Sequence, residues 1–451
     1  MNLIFLLSVL LKGVGAVLEI LLQILITRQI GVSGYGSYSA WINAADLMFW
    51  ICFSGLVKCN TFYLSGRDTT IRGFKKRYAL RYVLPVLVLS ALVAALVSRS
   101  AAPCAVLLIT ALELAVLDRS STLLARGKAK TSVLGEYVLG RTILVGGVLA
   151  LSWLKLLSLY SLLALYVCQY GAILVFFTLC GGKTGKTYTD ISGEVSLKKW
   201  GTFQCSDLMH SMIEQMPVVA QYFFAGAFEA GVVSIVLLVK KLINFISGPT
   251  AKVFLPEFSR LYHAGEHDRI SKSYASIMRI QMLVVGPLAV VLLGFPKVIL
   301  QILAPELTDY AGLFMVCSVI FLLAATLGPC GGILQMTGNE KMDNRCRAGA
   351  LLVMLAVMVL TRGDSYFVLY GLCAQIAAEA AAKYIYVCRW MQKAPVGPMT
   401  YLSWWLLPGA AIAAAYLAGL NESFWGMAAC AGAVFAVALV REVLLNKGRK
   451  S

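Results

Sequence analysis

At 451 residues, with 59% hydrophobic and only 14% charged residues and a mean hydropathy of +0.79, the chain is too apolar for an ordinary soluble domain. Its net charge of +17 does not mark a nucleic-acid footprint, because the cations are segregated by position along the chain rather than gathered into a patch. The twelve cysteines lie mostly within apolar runs and form no Cys-x-x-Cys, which argues against a metal centre or a disulfide framework and for small buried hydrophobes.

Apolar runs long enough to cross a bilayer recur from end to end. Fourteen spans are expected. The first half holds 3–27, 38–62, 82–97, 105–124, 133–153 and 159–179. The second holds 203–224, 232–247, 276–293, 311–335, 348–361 (short for a span) and 366–387, and a final pair follows at 401–418 and 424–444. The N-terminus lacks a basic leader and runs straight into a full-length span, so no cleavable signal peptide is expected. Outside the spans, Lys and Arg concentrate in alternate loops, beginning with the one after the second span, and in the C-terminal tail. The opposite set holds only Arg28, Arg99, Lys155, Lys297 and Arg362. This asymmetry places both termini in the cytoplasm.

The chain also repeats itself. A shift of 195 positions carries Lys12 onto Asp207, Glu19 onto Glu214 and Asp46 onto Lys241, and Gly31, Gly36 and Ser39 onto Gly226, Gly231 and Ser234. Leu123, Gly127 and Lys130 match Leu334, Gly338 and Lys341 at a longer offset. Two similar apolar halves with ionisable groups at matching depths mark a transporter built from repeats. Each half runs six spans, an even number, so the pseudo-twofold axis is expected along the membrane normal. The expected organisation is an all-α membrane protein with an N-terminal six-helix bundle (1–180), a polar cytoplasmic linker (181–200), a second six-helix bundle (201–390) and two additional spans with a basic tail (391–451). The basic stretches 66–81 and 256–272 are read either as short helices on the inner leaflet or as solvated loops. Pro217, Gly248-Pro249, Gly286-Pro287 and Gly328-Pro329 mark bends in the seventh to tenth spans, with the eighth expected to end at Gly248-Pro249.

A charge inside a span costs about 2.5–3.5 kcal/mol on insertion scales, so each needs a reason. Lys12, Glu19 and Gln23 stack on one face of the first span, the two charges about 10 Å apart along the axis and too far to pair directly. Asp207, His210 and Glu214 repeat the pattern in the seventh. Asn43 and Asp46 in the second span, with Lys240, Lys241 and Asn244 in the eighth, complete a set that either surrounds a hydrated cavity or forms interhelical salt bridges. Glu379 and Lys383 have the spacing of a pair on one helix, while Glu113, Asp118, Arg119, Glu136 and Arg141 could pair between adjacent spans. Gly181–Thr187 only superficially resembles a P-loop, because the first glycine of that motif is replaced by Cys180 and no strand precedes it. Asn421-Glu422-Ser423 is a short sequon on the expected outer side.

The segment Ile30-Gly31-Val32-Ser33-Gly34-Tyr35-Gly36-Ser37-Tyr38-Ser39 resembles the signature of polysaccharide flippases (Wzx-like) in the multidrug/oligosaccharidyl-lipid/polysaccharide exporter superfamily. The segments 253–262 and 334–341 resemble two further recurrent stretches of that group, and the resemblance covers essentially the whole chain. It implies a MATE-like fold of two bundles around a cavity that faces the cytoplasm and the outside in turn. The implied activity is moving undecaprenyl-diphosphate-linked oligosaccharide across the bacterial cytoplasmic membrane for surface polysaccharide synthesis, coupled to H⁺ or Na⁺ and to no other cofactor. The implied partners are the lipid-linked substrate, anionic membrane lipids, and a polysaccharide polymerase and glycosyltransferases of the same pathway; no nucleic acid is implied. By position, Lys12, Lys240 and Lys241 would engage the diphosphate, with Glu19, Gln23, Asn43, Asp46 and Asn244 also lining the substrate site. Asp207, His210 and Glu214 would carry the coupling cation. Lysines replace the arginines usual in the lipid II branch. The alternative within the fold is a cation-coupled drug antiporter. A membrane polymerase or ligase would need a sizeable catalytic outer loop, and every expected outer loop is short.

Overall fold

The computed structural model describes residues 3–64, 69–97, 102–180 and 189–447, and within them leaves the side chains of 3–12, 91–97, 198–199, 202–203, 205–207, 210, 244–257, 442–447 and several single positions undescribed. The chain is helical almost throughout. In order it forms α1 (Leu3–Cys52), α2 (Ser54–Leu64), a two-residue strand β1 (Thr69–Thr70), α3 (Arg72–Tyr78), α4 (Leu84–Val97), α5 (Ala102–Ala125), α6 (Ala129–Val133), α7 (Gly140–Trp153), α8 (Leu159–Cys180), β2 (Thr189–Asp190), α9 (Leu197–Glu214), α10 (Met216–Phe224) and α11 (Ala227–His263). There follow α12 (His267–Ala289), α13 (Pro296–Leu303), α14 (Ala311–Thr326), α15 (Cys330–Met336), α16 (Glu340–Leu360), α17 (Phe367–Trp390), α18 (Pro398–Leu417) and α19 (Phe424–Lys447). Each of the fourteen expected segments falls on these helices, broken at Phe53, at Gln215 and at Leu327–Pro329. Six stretches among the described residues are long and apolar enough to cross a membrane: Gly13–Cys52, Lys130–Trp153, Leu159–Cys180, Asp268–Gly294, Pro305–Met336 and Phe424–Arg441. Large apolar side chains face outward along them and their neighbours, as at Leu149, Val175 and Val316. This is a multi-pass membrane protein.

The expected break between the first two spans, and one at Phe53 that falls inside the expected span 38–62, have identifiable causes. Gly31 takes φ 72°, a conformation open to glycine, and folds α1 back on itself. The Tyr35 hydroxyl therefore donates to Gln23 Oε1 at 2.9 Å, although twelve residues of straight helix would separate them by about 18 Å. At Phe53 the next break frees backbone carbonyls. Gln204 on α9 satisfies them, donating to Trp50 O (2.5 Å) and Ile51 O (2.6 Å) while accepting from Gly55 N (2.8 Å), and the Tyr78 hydroxyl donates to Cys52 O. The seventh span divides immediately before Pro217. At Gly248-Pro249 the expectation was wrong: α11 does not end there but continues to His263 and turns at Gly265, φ 72°. A proline near a helix end predicts a stop only when no neighbouring turn carries the helix through.

By packing, the chain divides into two compact units, residues 1–234 and 235–451. This division follows contacts rather than the repeat, since α9 and α10 pack on α1, α9 also packs on α2, and the start of α11 approaches α1. The reason lies in the repeated glycines. A Cβ on Gly36 would lie 1.8 Å from Ala227 O, and one on Gly231 would lie 2.3 Å from Val32 O. Positions 36 and 231, and likewise 32 and 227, are 195 apart, so the two contacts are copies of each other. Between them Ser234 donates to the Ser39 hydroxyl at 2.9 Å, again across 195 residues. The two copies of the motif thus meet face to face about a local twofold, at a crossing that only small residues permit. Gly36→Ala is expected to cost about 3 kcal/mol, because the obstructing atom is backbone and cannot rotate away. Gly146→Ala, with nothing within 4 Å, should leave the melting temperature of the purified protein unchanged.

The polar stretches after the second and sixth spans meet as a parallel ladder, Thr69 opposite Thr189 and Thr70 opposite Asp190. Asp190 accepts hydrogen bonds from Ser192 Oγ, from Ser192 N at 3.0 Å and from Gly73 N at 3.1 Å, and Arg77 donates to Ser192 O at 3.1 Å. These bonds, the Ser192 hydroxyl first, hold the Asp190 carboxyl below its ordinary value. The clasp is therefore intact at neutral pH and weakens only as pH falls below the usual aspartate range. The stretch 66–81 is in part a strand and a short helix, α3, bound to the linker rather than a free loop.

Candidate functional site

In the first unit, five polar groups gather between helices α1, α7 and α8. The Arg141 Nε lies 2.8 Å from Glu19 Oε2, and Gln23 Nε2 donates to Glu19 Oε1 at 3.0 Å. Gln23 in turn accepts from Tyr35. Both oxygens of Glu19 are thus engaged, one by a charge and one by the end of a neutral relay. Arg141 also approaches the Tyr166 hydroxyl at 3.5 Å, and Tyr38 packs edge-on against Tyr166 with ring centres 5.9 Å apart. A wider π-type turn, Leu134–Leu139, immediately precedes α7 and sets the rotation that brings Arg141 to this face.

A second acidic pair lies beside it. Glu113 on α5 is only 6% exposed, and the nearby charge acting on it is that of Asp46 on α1. Thr110, one turn away on α5, donates to Ala45 O at 3.2 Å and pins the two helices together. Tyr170 on α8 feels Glu113, Asp46 and Arg141 together, which joins the two groups into one cluster. Among the described residues, three carboxylates, Glu19, Asp46 and Glu113, thus lie close to the Arg141 guanidinium. Carboxylates held within spans are suited to take up a proton or another cation.

The second unit holds a balanced cluster. Lys383 Nζ lies 2.6 Å from Asp343 Oδ1 and 2.6 Å from Glu379 Oε1. Arg347 stands 3.5 Å from Glu379 and 3.7 Å from Asp343. Gln335 donates to Asp343 Oδ2 at 2.9 Å and Gln375 to Glu379 Oε2. Asp343 is 1% exposed. A Cβ at Gly331 would sit 2.9 Å from Asp343 Oδ1 and 3.3 Å from Lys383 Nζ, so α15 can cover the cluster only with glycine there.

Among the expected site residues, the structure brings Glu19 and Gln23 together, but with Arg141 as their partner. Asn43 donates to Ser39 O at 2.7 Å, and Asp46 faces Glu113. Glu214 ends α9 half-buried and takes part in interactions of its own. Lys240 is buried in the second unit, where its charge reaches Cys373, whose thiol is 3.5 Å from that of Cys317. Lys241 is exposed. The side chains of Lys12, Asp207, His210 and Asn244 lie outside the described residues. Asp343 and Arg347 were not singled out in the sequence; their signal was two opposite charges four residues apart, at the start of a helix read as beginning later.

No protein-family model matches the sequence, and no curated protein matches it. Solved structures do. The lipid II flippase MurJ in an inward closed conformation superposes with a TM-score of 0.69 at 13% identity, over 97% of this chain and 100% of that one. An inward-facing multidrug resistance MATE family transporter of the MOP superfamily gives 0.66 at 11% identity, over 85% of this chain and 98% of that one. A MOP superfamily transporter from Pyrococcus furiosus, described as having a binding pocket of reversed polarity, gives 0.52 at 14% identity, over 86% and 93%. These neighbours are transporters and flippases of the MOP superfamily, and the chain has their fold.

Proposed function

We propose that the protein flips a diphosphate-linked oligosaccharide lipid, of the undecaprenyl type used for surface polysaccharides, across the bacterial cytoplasmic membrane by alternating access, driven by H⁺ or Na⁺. The observation that carries the reading is charge held within spans: among the described residues, Glu19, Asp46 and Glu113 gathered near Arg141 in the first unit, and the buried Lys240 in the second. Clustered carboxylates within spans suit uptake of a coupling cation, and buried lysine suits a phosphate-bearing head where water is scarce. Asp46 and Glu113 are added to Asp207, His210 and Glu214 as coupling groups, and Lys12, Lys240 and Lys241 are each a candidate to engage the diphosphate. The superposition supports the flippase over the drug antiporter, because it spans 97% of this chain with MurJ and 85% with the MATE transporter. The final helix pair with its tail, residues 391–451, is about the size of that shortfall.

Glu113→Gln should cut gradient-driven transport about tenfold or more while leaving binding of undecaprenyl-diphosphate oligosaccharide, read by fluorescence quenching on purified protein, within about twofold. Transport that ignores both the imposed H⁺ or Na⁺ gradient and this substitution would overturn the coupling assignment. Tight binding of small organic cations with no binding of the lipid-linked glycan would move the reading to the antiporter.

A further inference from the structure

The second unit contains a groove of about 880 Å³ between α12, α18 and α19, separate from both charge clusters. Its composition changes along its length. At one end stand Lys272 and Arg279 of α12 and Arg441 of α19, with Ser276 and Thr400 between them. At the other, Met282, Leu283, Leu407 and Pro408 line it, and Val434 closes the side. Among the described residues, three cations and no carboxylate line the groove. The acids that open α12 are engaged elsewhere, Glu266 with Arg269 at 2.7 Å and Asp268 with Lys393.

The fold explains why a hollow persists there. Pro287 lies inside α12 and Pro408 inside α18, and each lacks the N–H that a helix-interior residue donates. A wider π-type turn, Val290–Gly294, follows Pro287. Gly286 lets the two helices close beneath the hollow, where a Cβ would come within 3.3 Å of Pro408. Beyond that point Val290, Phe295, Ala415 and Met427 form a packed core that seals the deep end.

The dimensions fit one leaflet. Arg279 and Pro287 are eight residues apart on α12, about 12 Å along the axis, and Lys272 lies a further 10 Å or so out. Half the hydrocarbon thickness of a bilayer is about 15 Å. Trp404, in the second turn of α18, also lines the groove, and its residue type is one enriched at membrane interfaces. The outer faces of the same helices carry exposed Leu402, Leu406, Val437 and Val440, so the groove opens beside a surface made for acyl chains. The cationic end is also the end at which basic loop residues accumulate, and the charge rule puts that end at the cytoplasmic leaflet, where anionic lipids reside.

We propose that this groove is a binding site for an anionic glycerophospholipid of the cytoplasmic leaflet, its phosphate held by Lys272, Arg279 and Arg441 and one acyl chain lying along Leu283, Leu407 and Pro408 toward Pro287. The ligand is a resident lipid rather than the transported one. The site acts as an anchor between the helix pair α18–α19 and α12.

The test uses the full-length protein in detergent, titrated with phosphatidylglycerol or phosphatidylcholine of the same chains and read by native mass spectrometry. Phosphatidylglycerol should bind at least tenfold more tightly than phosphatidylcholine. The triple variant Lys272→Ala/Arg279→Ala/Arg441→Ala should lose that preference, and Arg389→Ala, an exposed cation on α17, should keep it. Should the triple variant not fold, each single variant should still lose severalfold. Inorganic phosphate and glycerol phosphate at millimolar concentration should not displace the lipid. Their displacement of it would reduce the groove to a free-anion site and overturn the lipid assignment. Equal binding of the two lipids, or an equal loss with Arg389→Ala, would overturn the proposal in favour of general surface attraction.

Discussion

Replacing Lys383 by methionine is expected to destabilise the protein by about 3–5 kcal/mol, the cost of leaving a buried ion pair with one partner missing. Its ammonium is 2.6 Å from both Asp343 and Glu379, and the only other cation of that cluster, Arg347, stands 3.5 Å or more from either acid. Arg347 softens the loss but cannot take over the Oδ1 contact. The double variant Lys383→Met/Asp343→Asn removes the stranded charge and should recover most of the loss. A double-mutant cycle on the denaturation midpoint in mixed detergent–SDS micelles measures this directly. Additive losses from the two changes would mean that the two groups do not depend on each other, and would remove this cluster as the clamp between α15, α16 and α17.

Arg141→Met is the second large effect. It removes the charged partner of Glu19, which keeps its hydrogen bond from Gln23, and takes away the guanidinium that Tyr170 shares with Asp46 and Glu113. The side chains of the pair are 30% and 22% exposed, so the stability cost should be lower than in the second unit, about 2 kcal/mol. The functional cost should be larger. With the Arg141 charge gone from the cluster, the poise of the carboxylates toward the coupling cation is altered, and gradient-driven transport should fall at least tenfold. Adding Glu19→Gln to Arg141→Met should restore stability without restoring transport. Full transport by the single variant would show that the charge balance of the first unit plays no part in coupling.

The fold was legible because its signal is large: apolar runs of membrane length recur throughout, and glycine and proline punctuate them. The breaks at Gly31, before Pro217 and at Gly328-Pro329 could be read from residue type, since positive φ and missing N–H groups are local properties. The pairing of charges was legible only within a helix. Glu379 and Lys383 could be paired from their spacing of four, whereas the partner of Glu19 could not, because no spacing on α1 says that α7 will be its neighbour. The same limit hid the meeting of the glycine motifs. The 195-residue shift was visible, but that the two copies touch, Gly36 against Ala227 and Gly231 against Val32, is a tertiary fact. Asp343 and Arg347 were passed over because they stand on the polar first turns of α16, which starts at Glu340, before the apolar run begins. The ladder between 69–70 and 189–190 joins two stretches of ordinary loop composition and left no pattern to find.

The most direct measurement is leaflet transfer. Liposomes containing the purified protein would carry labelled undecaprenyl-diphosphate oligosaccharide on one leaflet, and its appearance on the other would be followed for wild type, Lys12→Ala, Lys240→Ala and Lys241→Ala. The flippase assignment requires protein-dependent transfer that is lost in at least one lysine variant. Absence of transfer by folded wild-type protein across several glycan types would contradict it.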